Sequence, residues 1–351
     1  MDIFKIKGVH IDGLVACVPA NKVDNKTALR EMYGDEVKLI VDSTGIKNRN
    51  IITLGMTSSD LCISAAEEVM RETNTASEEI AGVVFVTFTP DRRMPFNAAL
   101  VQNKLGLPKE IPAFDISLAC SGYAYGLYIA STLCVASKKK ILFLDGDAQT
   151  AFTSPYDKST TPVMADAGSA TLLSFDGSDT EWKFTFYTDG SGREALTIPA
   201  GGSESPLKEE DLVWNMYDDN SKRRNIDIYM DGFAVFRFVA MDVSKWLKKF
   251  IDEVNKPIDS FVPHQANMYM IKKLAKKLNI DWEHTWQSGD AVGNSASATV
   301  PVTIAFDVNK RLNRSKMNTV LISGFGAGFS ASAGIITLDP KAYYKFFEKN
   351  G

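Results

Sequence analysis

The sequence predicts an α/β protein, with helices layered on largely parallel sheets and a second half that repeats the outline of the first. Three observations carry this expectation. Helix-period segments alternate with short apolar runs, and one of these, VVFVTF at 83–88, is continuous, as in a parallel strand buried on both faces. KKILFLDGD at 139–147 has a counterpart in NTVLISGFGAG at 318–328, each an apolar strand ending in small residues. A helix followed by an acidic or proline-containing linker and a strand also occurs twice, ahead of residues 83 and 260. The similarity is one of topology more than of identity. It divides the chain into an N-terminal half, 1–175, and a C-terminal half, 176–351. A chain of 351 residues can bury one large core or two similar ones.

In order, residues 2–18 read as a strand pair or a strand with a bulge. Helical stretches follow at 26–33 and 36–42, then a glycine-centred turn, STGIKNRNI (43–51), carrying Lys47 and Arg49. Thr57-Ser58-Ser59-Asp60 caps a helix through Arg71, with Leu61, Ala65 and Val69 at four-residue steps. Pro95 precedes a helix at 97–105. Phe114-Asp115-Ile116 starts as a strand and gives way to an elbow of small residues around Cys120, then a helix to about residue 137. A strand at 141–147 follows, and MADAGSATLLSF (164–175) is a turn entering another. Residues 199–225 are rich in Gly, Ser, Pro and charge without a period, and read as a surface excursion. A helix at 233–255 then leads through Pro257-Ile258-Asp259 to a strand at 260–262.

Composition narrows the function. With 45% hydrophobic and 23% charged residues this is an ordinary globular chain, and a net charge of −4 argues against a general nucleic-acid binder. Cys17, Cys62, Cys120 and Cys134 are scattered, form no CxxC pair and make no disulfide framework, which favours a reducing compartment. The first twenty residues alternate and carry charges, unlike a secretory segment, and no apolar run has membrane-spanning length. The expectation is a cytoplasmic protein with no membrane and no nucleic-acid partner.

Three residues are candidates for chemistry. Cys120, flanked by Ala119 and Ser121-Gly122, sits where a helix N-terminus lowers a thiol pKa; the competing reading is a buried core cysteine. His264 falls directly after a strand and before an amphipathic helix, the strand-end position where α/β proteins place their sites, although a structural histidine is the alternative. In that helix Met270, Leu274 and Leu278 share one face, and Lys272, Lys273, Lys276 and Lys277 supply the other, for solvation or for docking an acidic partner. Asn294, in the turn Gly293-Asn294-Ser295, reads by itself as turn chemistry. Gly324-Phe325-Gly326-Ala327-Gly328 imitates a dinucleotide loop, but Phe329 holds the last glycine position and too little chain follows for a βαβ unit.

Taken together, Cys in an ACSG elbow, HQAN, GNSxxxxVP and a late GFGxGF occur in an order that resembles the β-ketoacyl-[acyl-carrier-protein] synthase III family of the thiolase fold. TGIKNRNI, FDISLACSGYAYGL, MADAGSATLL, DGSGREALTIPA and VPHQAN all fall where that family has its corresponding segments. The resemblance implies a five-layer αβαβα fold from two duplicated halves, normally a homodimer. It implies a catalytic triad of Cys120, His264 and Asn294, with backbone N–H groups of Cys120 and Ala327 as oxyanion hole. Cys120 would carry the acyl group, and His264 Nε2–H with the Asn294 amide would hold the enolate of a decarboxylating malonyl thioester. Phe325 and, from a partner subunit, Met94 would shape the acyl pocket, while Arg237, Lys276 and Lys277 match basic positions that meet an acyl carrier protein; one such position reads Tyr269. Acyl-carrier-protein or CoA thioesters would be substrates, with no metal or redox cofactor.

Departures from the family pattern concern the donor. A Trp that stacks on the adenine of CoA matches Leu39; two CoA-contacting Arg positions are Ser43 and Lys158, and a pantetheine-side Asn is Phe233. Lys lacks the planar fork of Arg, so a carrier protein or an unusual CoA ester is the expected donor. Specialised relatives that join or transfer acyl chains in secondary metabolism are an alternative, as is a non-catalytic partner subunit, which would normally lose the nucleophile. Chalcone-synthase-like enzymes share Cys, His and Asn but resemble this chain less around HQAN. A papain-like peptidase has the same residue order, but its nucleophile lies near the mature N-terminus in a CGSCW-type context.

Overall fold

The computed structural model describes residues 1–217 and 221–351. Side chains alternate across each central strand, so one strand feeds two cores. In Val9–Pro19, Leu14, Ala16 and Val18 enter one core while Val15 and Cys17 enter another. Ile80–Val86 separates Val84 and Val86 from Val83 and Phe85, and Lys140–Asp147 separates Ile141 and Phe143 from Leu142 and Leu144. In Asn318–Gly326, Val320 and Ile322 join the first core, and Leu321 and Phe325 a third. Two helices, Gly122–Ser137 and Thr299–Arg311, fill that shared first core. Ser58–Glu72 covers the outer face of one sheet, and Ser244–Val254 with Met268–Leu278 covers the other. The order helix, sheet, helix, sheet, helix is the five-layer αβαβα arrangement expected from the sequence.

The six-stranded sheet runs Tyr343–Lys349, Val9–Pro19, Ala167–Phe175, Lys140–Asp147, Ile80–Val86, Ala113–Ile116. The five-stranded sheet runs Phe4–Lys7, Glu181–Thr188, Ser330–Leu338, Asn318–Gly326, Ser260–Pro263. Each sheet thus takes an edge strand from the opposite end of the chain. The sheets are mixed, which corrects the expectation of parallel ones. Ala167–Phe175 pairs antiparallel with both neighbours, and Asn318–Gly326 turns back through three residues into Ser330–Leu338. A parallel pairing needs a longer crossover than such a link allows. Parallel pairs persist where they bear on the site: Ile80–Val86 with both neighbours, and Ser260–Pro263 with Asn318–Gly326.

Local differences have local causes. The capping pattern at Thr57 is present, with Thr57 Oγ1 accepting from Asp60 N and the Asp60 carboxylate from Thr57 N. The helix expected at 26–33 is broken at Leu29, and the one at 233–255 passes through a π-turn at Val239–Val243. Within the 199–225 excursion, the described residues form a 3₁₀ turn, Glu209–Leu212, and pair Asn215–Met216 with Lys222–Arg223; residues 218–220 lie outside the described residues. Among the described residues no helix is long and apolar enough to cross a membrane.

Candidate active site

Cys120 occupies the turn between Ala113–Ile116 and Gly122–Ser137, as the elbow pattern predicts. The Gly122 N–H closes the bend on the Ala119 carbonyl at 2.7 Å. The helix presses onto the sheet because glycines line its near face: a Cβ at Gly122 would lie 2.5 Å from Val86, and one at Gly126 would lie 2.4 Å from Phe143. From the second sheet, Ser332 Oγ donates to the Ser121 carbonyl at 2.6 Å, and the hydroxyls of Ser121 and Ser330 are 2.7 Å apart. Gly324 and Gly326 leave the only room for the nucleophile on that side, since Cβ atoms there would lie 2.4 Å from the Cys120 carbonyl oxygen and 3.1 Å from Sγ.

His264 follows Ser260–Pro263, in which Pro263 is paired with Ser323, and its own N–H donates to the Ser323 carbonyl at 2.7 Å. That register sets the histidine beside Gly324, where a Cβ would meet the Cys120 carbonyl. Its Nδ1 is 2.7 Å from Thr299 Oγ1, and the Phe325 ring meets the imidazole edge-on at 5.4 Å. Burial pushes the imidazole pKa down to about 3, with the Ala296 carbonyl pulling the other way, so the ring is neutral at pH 7. Asn294 follows Gly293, whose φ of 91° is a conformation that favours glycine. Its backbone is pinned to Val163 and Ala165, and Gln149 Nε2 donates to its carbonyl at 2.5 Å. The Asn294 Oδ1 accepts from the Ala296 N–H at 3.0 Å, which assigns the amide NH2 as the group offered to a ligand. Ala296 also accepts from Thr299 Oγ1 at 2.8 Å, so Asn294, Ala296, Thr299 and His264 form one connected chain.

A cavity of about 340 Å³ opens at Cys120. Phe88, Leu118, Met164, Leu196, Ile198 and Ile228 make its walls apolar, and Ala327 and Gly328 border it beside the nucleophile. This is ample for an acyl chain.

The helix-terminus argument for a low thiol pKa fails here. Burial pushes Cys120 up to about 12, Asp147 and Asp145 push the same way, and its own backbone N–H acts in the opposite direction. Burial thus favours the thiol form of Cys120 and the neutral form of His264. Those two carboxyls went unread as site residues, although two acids two apart in an apolar strand share a face and are a readable signal. Asp147 Oδ1 accepts from Thr87 Oγ1, Phe88 N and Thr89 Oγ1 at 2.9 to 3.0 Å; Ser297 Oγ donates to Asp145 Oδ1 at 2.5 Å. They connect the cavity wall at Phe88 to the turn that carries Asn294.

The family described as 3-oxoacyl-[acyl-carrier-protein (ACP)] synthase III matches residues 114–190, and its C-terminal counterpart matches residues 254–338. A beta-ketoacyl-[acyl-carrier-protein] synthase III from Streptococcus mutans serotype c is 31% identical over 326 residues, covering 92% of this chain and 96% of the relative. This chain belongs to the β-ketoacyl-[acyl-carrier-protein] synthase III family. A synthase III from Chlamydia caviae is likewise 31% identical over 343 residues, covering 96% of this chain and 98% of its own. A solved 3-oxoacyl-(acyl-carrier protein) synthase from Burkholderia xenovorans LB400 superposes with a TM-score of 0.92 at 28% identity, covering 99% of both chains. The synthase III fold therefore extends through the whole molecule, including the strands that the two family segments leave unmatched.

Other expected site residues fall into two groups. Cys120 and Ala327 line one cavity, and His264 and Asn294 share one hydrogen-bonded chain. Phe325 does not line the cavity; strand alternation turns it away from the side on which Gly324 and Gly326 face Cys120, and it packs on His264 instead. Met94 is 84% exposed and distant in role from this subunit's own cavity wall. Arg237 and Lys276 are exposed on Gly232–Phe238 and Met268–Leu278, and Lys277 Nζ donates to the Ala240 carbonyl, joining the two helical segments. Tyr269 stacks with Phe236 at 6.1 Å under Lys273. Leu39 and Phe233 are exposed, and Lys158 Nζ lies over the Tyr33 ring at 5.7 Å. Thr299, Gln149 and Ile228 escaped the sequence reading, because nothing local distinguishes them from packing residues.

Proposed function

We propose that the protein is a condensing enzyme that forms a 3-ketoacyl thioester by decarboxylative Claisen condensation, in fatty-acid or related acyl-chain biosynthesis. The observation that carries this is Cys120 in the wall of an apolar cavity whose lining residues Gln149 and Met164 hold Asn294, which is joined to His264 through Ala296 and Thr299. In the first half-reaction Cys120 Sγ attacks the carbonyl carbon of an acyl thioester, and His264 Nε2 takes the thiol proton. The carbon–sulfur bond to the donor breaks, and the departing thiolate receives that proton. Backbone N–H groups of Cys120 and Ala327 hold the tetrahedral oxyanion. In the second half a malonyl thioester loses carbon dioxide, and its enolate oxygen is held by the Asn294 amide and the imidazole. The enolate carbon then attacks acyl-Cys120 and releases the thiolate. Acyl transfer, loss of carbon dioxide and carbon–carbon bond formation involve no net change of oxidation state that needs an external oxidant or reductant, so the scheme calls upon no redox cofactor.

The donor is presented by an acyl carrier protein. The exposed Leu39, the uncharged Ser43 and the engagement of Lys158 with Tyr33 support this, as does the basic, aromatic face formed by Arg237, Tyr269, Lys273, Lys276 and Lys277. The working form is a cytoplasmic homodimer in which Met94 reaches the partner's acyl pocket; its exposure on the loop before Asn97–Lys104 supports that assignment. Intact-protein mass tests the reading. The protein is mixed with acetyl-CoA, a medium-chain acyl-CoA and the matching acyl carrier proteins, beside a Cys120→Ala control. An adduct formed from the carrier protein and absent in the variant is expected. A rapid acetyl adduct from CoA overturns the donor assignment, and no adduct from any donor overturns the enzyme.

A further inference from the structure

The Thr299 hydroxyl has one proton and two lone pairs, and three neighbours compete for them. Ala296 O lies 2.8 Å away and can only accept; Gln265 N lies 3.2 Å away and can only donate; His264 Nδ1 lies 2.7 Å away and can do either. One arrangement satisfies all three at once. The hydroxyl proton points to the Ala296 carbonyl, one lone pair accepts from the Gln265 N–H, and the other accepts from Nδ1–H. The opposite choice, with the hydroxyl donating to Nδ1, leaves the Ala296 carbonyl without that donor. Thr299 is 1% exposed and His264 is 2% exposed, so water offers little compensation.

We propose that Thr299 is a positioning residue that holds His264 in the Nδ1–H form through the whole catalytic cycle, so that Nε2 alone gains and loses the working proton. The idea gives one hydroxyl arrangement for two chemical tasks. In acyl transfer, a neutral ring with a bare Nε2 accepts the Cys120 thiol proton and returns it to the departing thiolate. In decarboxylation, the malonyl carboxylate brings a negative charge into the cavity, and an opposite charge nearby favours the protonated imidazole. Nε2 then takes a proton from solvent and donates to the enolate oxygen as the carbon–carbon bond to carbon dioxide breaks. When the new bond forms, the expelled Cys120 thiolate takes the proton from Nε2. One solvent proton is consumed per turnover, and Nδ1–H stays on Thr299 in both the neutral and the protonated ring. No tautomer exchange is required inside a buried site.

The ionisable groups on the elements packed around the ring are few. Cys120 heads one helix, and Asp145 and Asp147 reach the same turn through Ser297; Phe325 closes the remaining side with carbon. The carboxyls meet Ser297 rather than the imidazole, so Thr299 is the side chain that decides which nitrogen carries hydrogen.

The catalytic part of this inference rests on the condensing reading above, but its central claim does not. Nitrogen-15 NMR of the ligand-free wild-type protein reads the tautomer directly, and with three histidines in the chain assignment needs only the His10→Gln and His284→Gln variants. A protonated Nδ1 and an unprotonated Nε2 at pH 7 to 8 are expected. A protonated Nε2 overturns the proposal whatever the enzyme does. Thr299→Val should yield a tautomer mixture and lower the acyl-transfer rate at least tenfold, and Thr299→Ser should restore both. A Val variant that keeps the wild-type tautomer and rate also overturns it. Failure of the condensing reading itself would show separately, as absence of any acyl adduct on the wild-type protein.

Discussion

Gly326 touches the nucleophile: a Cβ on it would stand 2.8 Å from Cys120 Cβ and 3.1 Å from Sγ. Gly324, two residues earlier on the same face, would meet the Cys120 carbonyl oxygen at 2.4 Å and Ser121 Cα at 2.8 Å. The two contacts differ in kind. At Gly326 the intruding methyl meets Cys120 Cβ, which moves only with the backbone, and Sγ, which can rotate aside, whereas at Gly324 it meets backbone alone and more closely. Gly326→Ala should therefore cost less stability than Gly324→Ala and lose acylation of Cys120 at least tenfold. Gly324→Ala should lower stability by about 2 kcal/mol or more, within the usual range for overpacking. Thermal melts and adduct formation measured on both variants check this. Equal melting temperatures for the two would contradict the distinction.

The titration of Cys120 and His264 sets a pH profile. Burial holds the thiol up at about 12 and the imidazole down at about 3, so thiol and neutral ring coexist between them. Acyl transfer from a saturating donor should be level from pH 5.5 to 8.5, within about twofold, because neither reacting group changes state there. Alkylation by iodoacetamide needs the free thiolate, and should rise about tenfold per pH unit up to pH 10 without a plateau. A plateau near neutrality would mean an ion pair at rest.

How much of this was readable is best judged residue by residue. Cys120, His264 and Asn294 each lie in a short segment whose small or turn-forming neighbours set the backbone, but each also had a structural reading, and it was the family resemblance that joined them into one site. The five layers followed from strand and helix periods joined to a family resemblance. The direction of the Cys120 pKa was not readable. A helix N-terminus is a local feature, while the burial and the Asp145 and Asp147 charges that outweigh it come from a strand more than twenty residues away. Thr299 was hidden for the same reason. In the sequence it is one small residue in SASATVP, and only the fold brings it to Nδ1 from 35 residues away. The antiparallel strands were misjudged because apolar runs look alike in either direction, and connection length had to decide.

Asp145 and Asp147 differ in what surrounds them, and a substitution at each should separate them. Asp147 accepts from several donors at Thr87, Phe88 and Thr89, while Asp145 Oδ2 has no partner and burial raises its carboxyl pKa well above the ordinary range. Burial thus favours the protonated form of Asp145, and Asn is its near-isosteric replacement. Asp145→Asn should melt within about 3 °C of wild type at pH 7. Asp147→Ala strands those donors and should melt at a much lower temperature, by about 5 °C or more. The sign with pH follows from the raised pKa. The folded chain holds a proton that the unfolded chain loses in the usual Asp range, so this carboxyl withdraws stability as pH rises above that range towards its folded pKa. Asn has no proton to lose, and the variant should gain on wild type as pH rises above the usual Asp range. A difference in melting temperature that shrinks over that range would reverse the assignment.

The cavity at Cys120 makes a length prediction through Ile228. This residue is 4% exposed, stands in the apolar wall, and is fixed by its N–H to the Phe152 carbonyl at 2.7 Å. Its backbone comes from the far end of the excursion, so a larger side chain there can fill the cavity without disturbing the strands behind Cys120. Each buried methylene of an acyl chain contributes about 0.8 kcal/mol. Ile228→Trp, by removing room for about two methylenes, should weaken medium-chain acylation by about 1.6 kcal/mol, roughly fifteenfold. Acetyl transfer needs only the space next to Sγ and should change by less than about threefold. The ratio of acetyl to medium-chain adduct, followed by intact mass over a donor series, measures the shift. If both adducts fell together, the acyl chain would have to leave Cys120 by another route than this cavity.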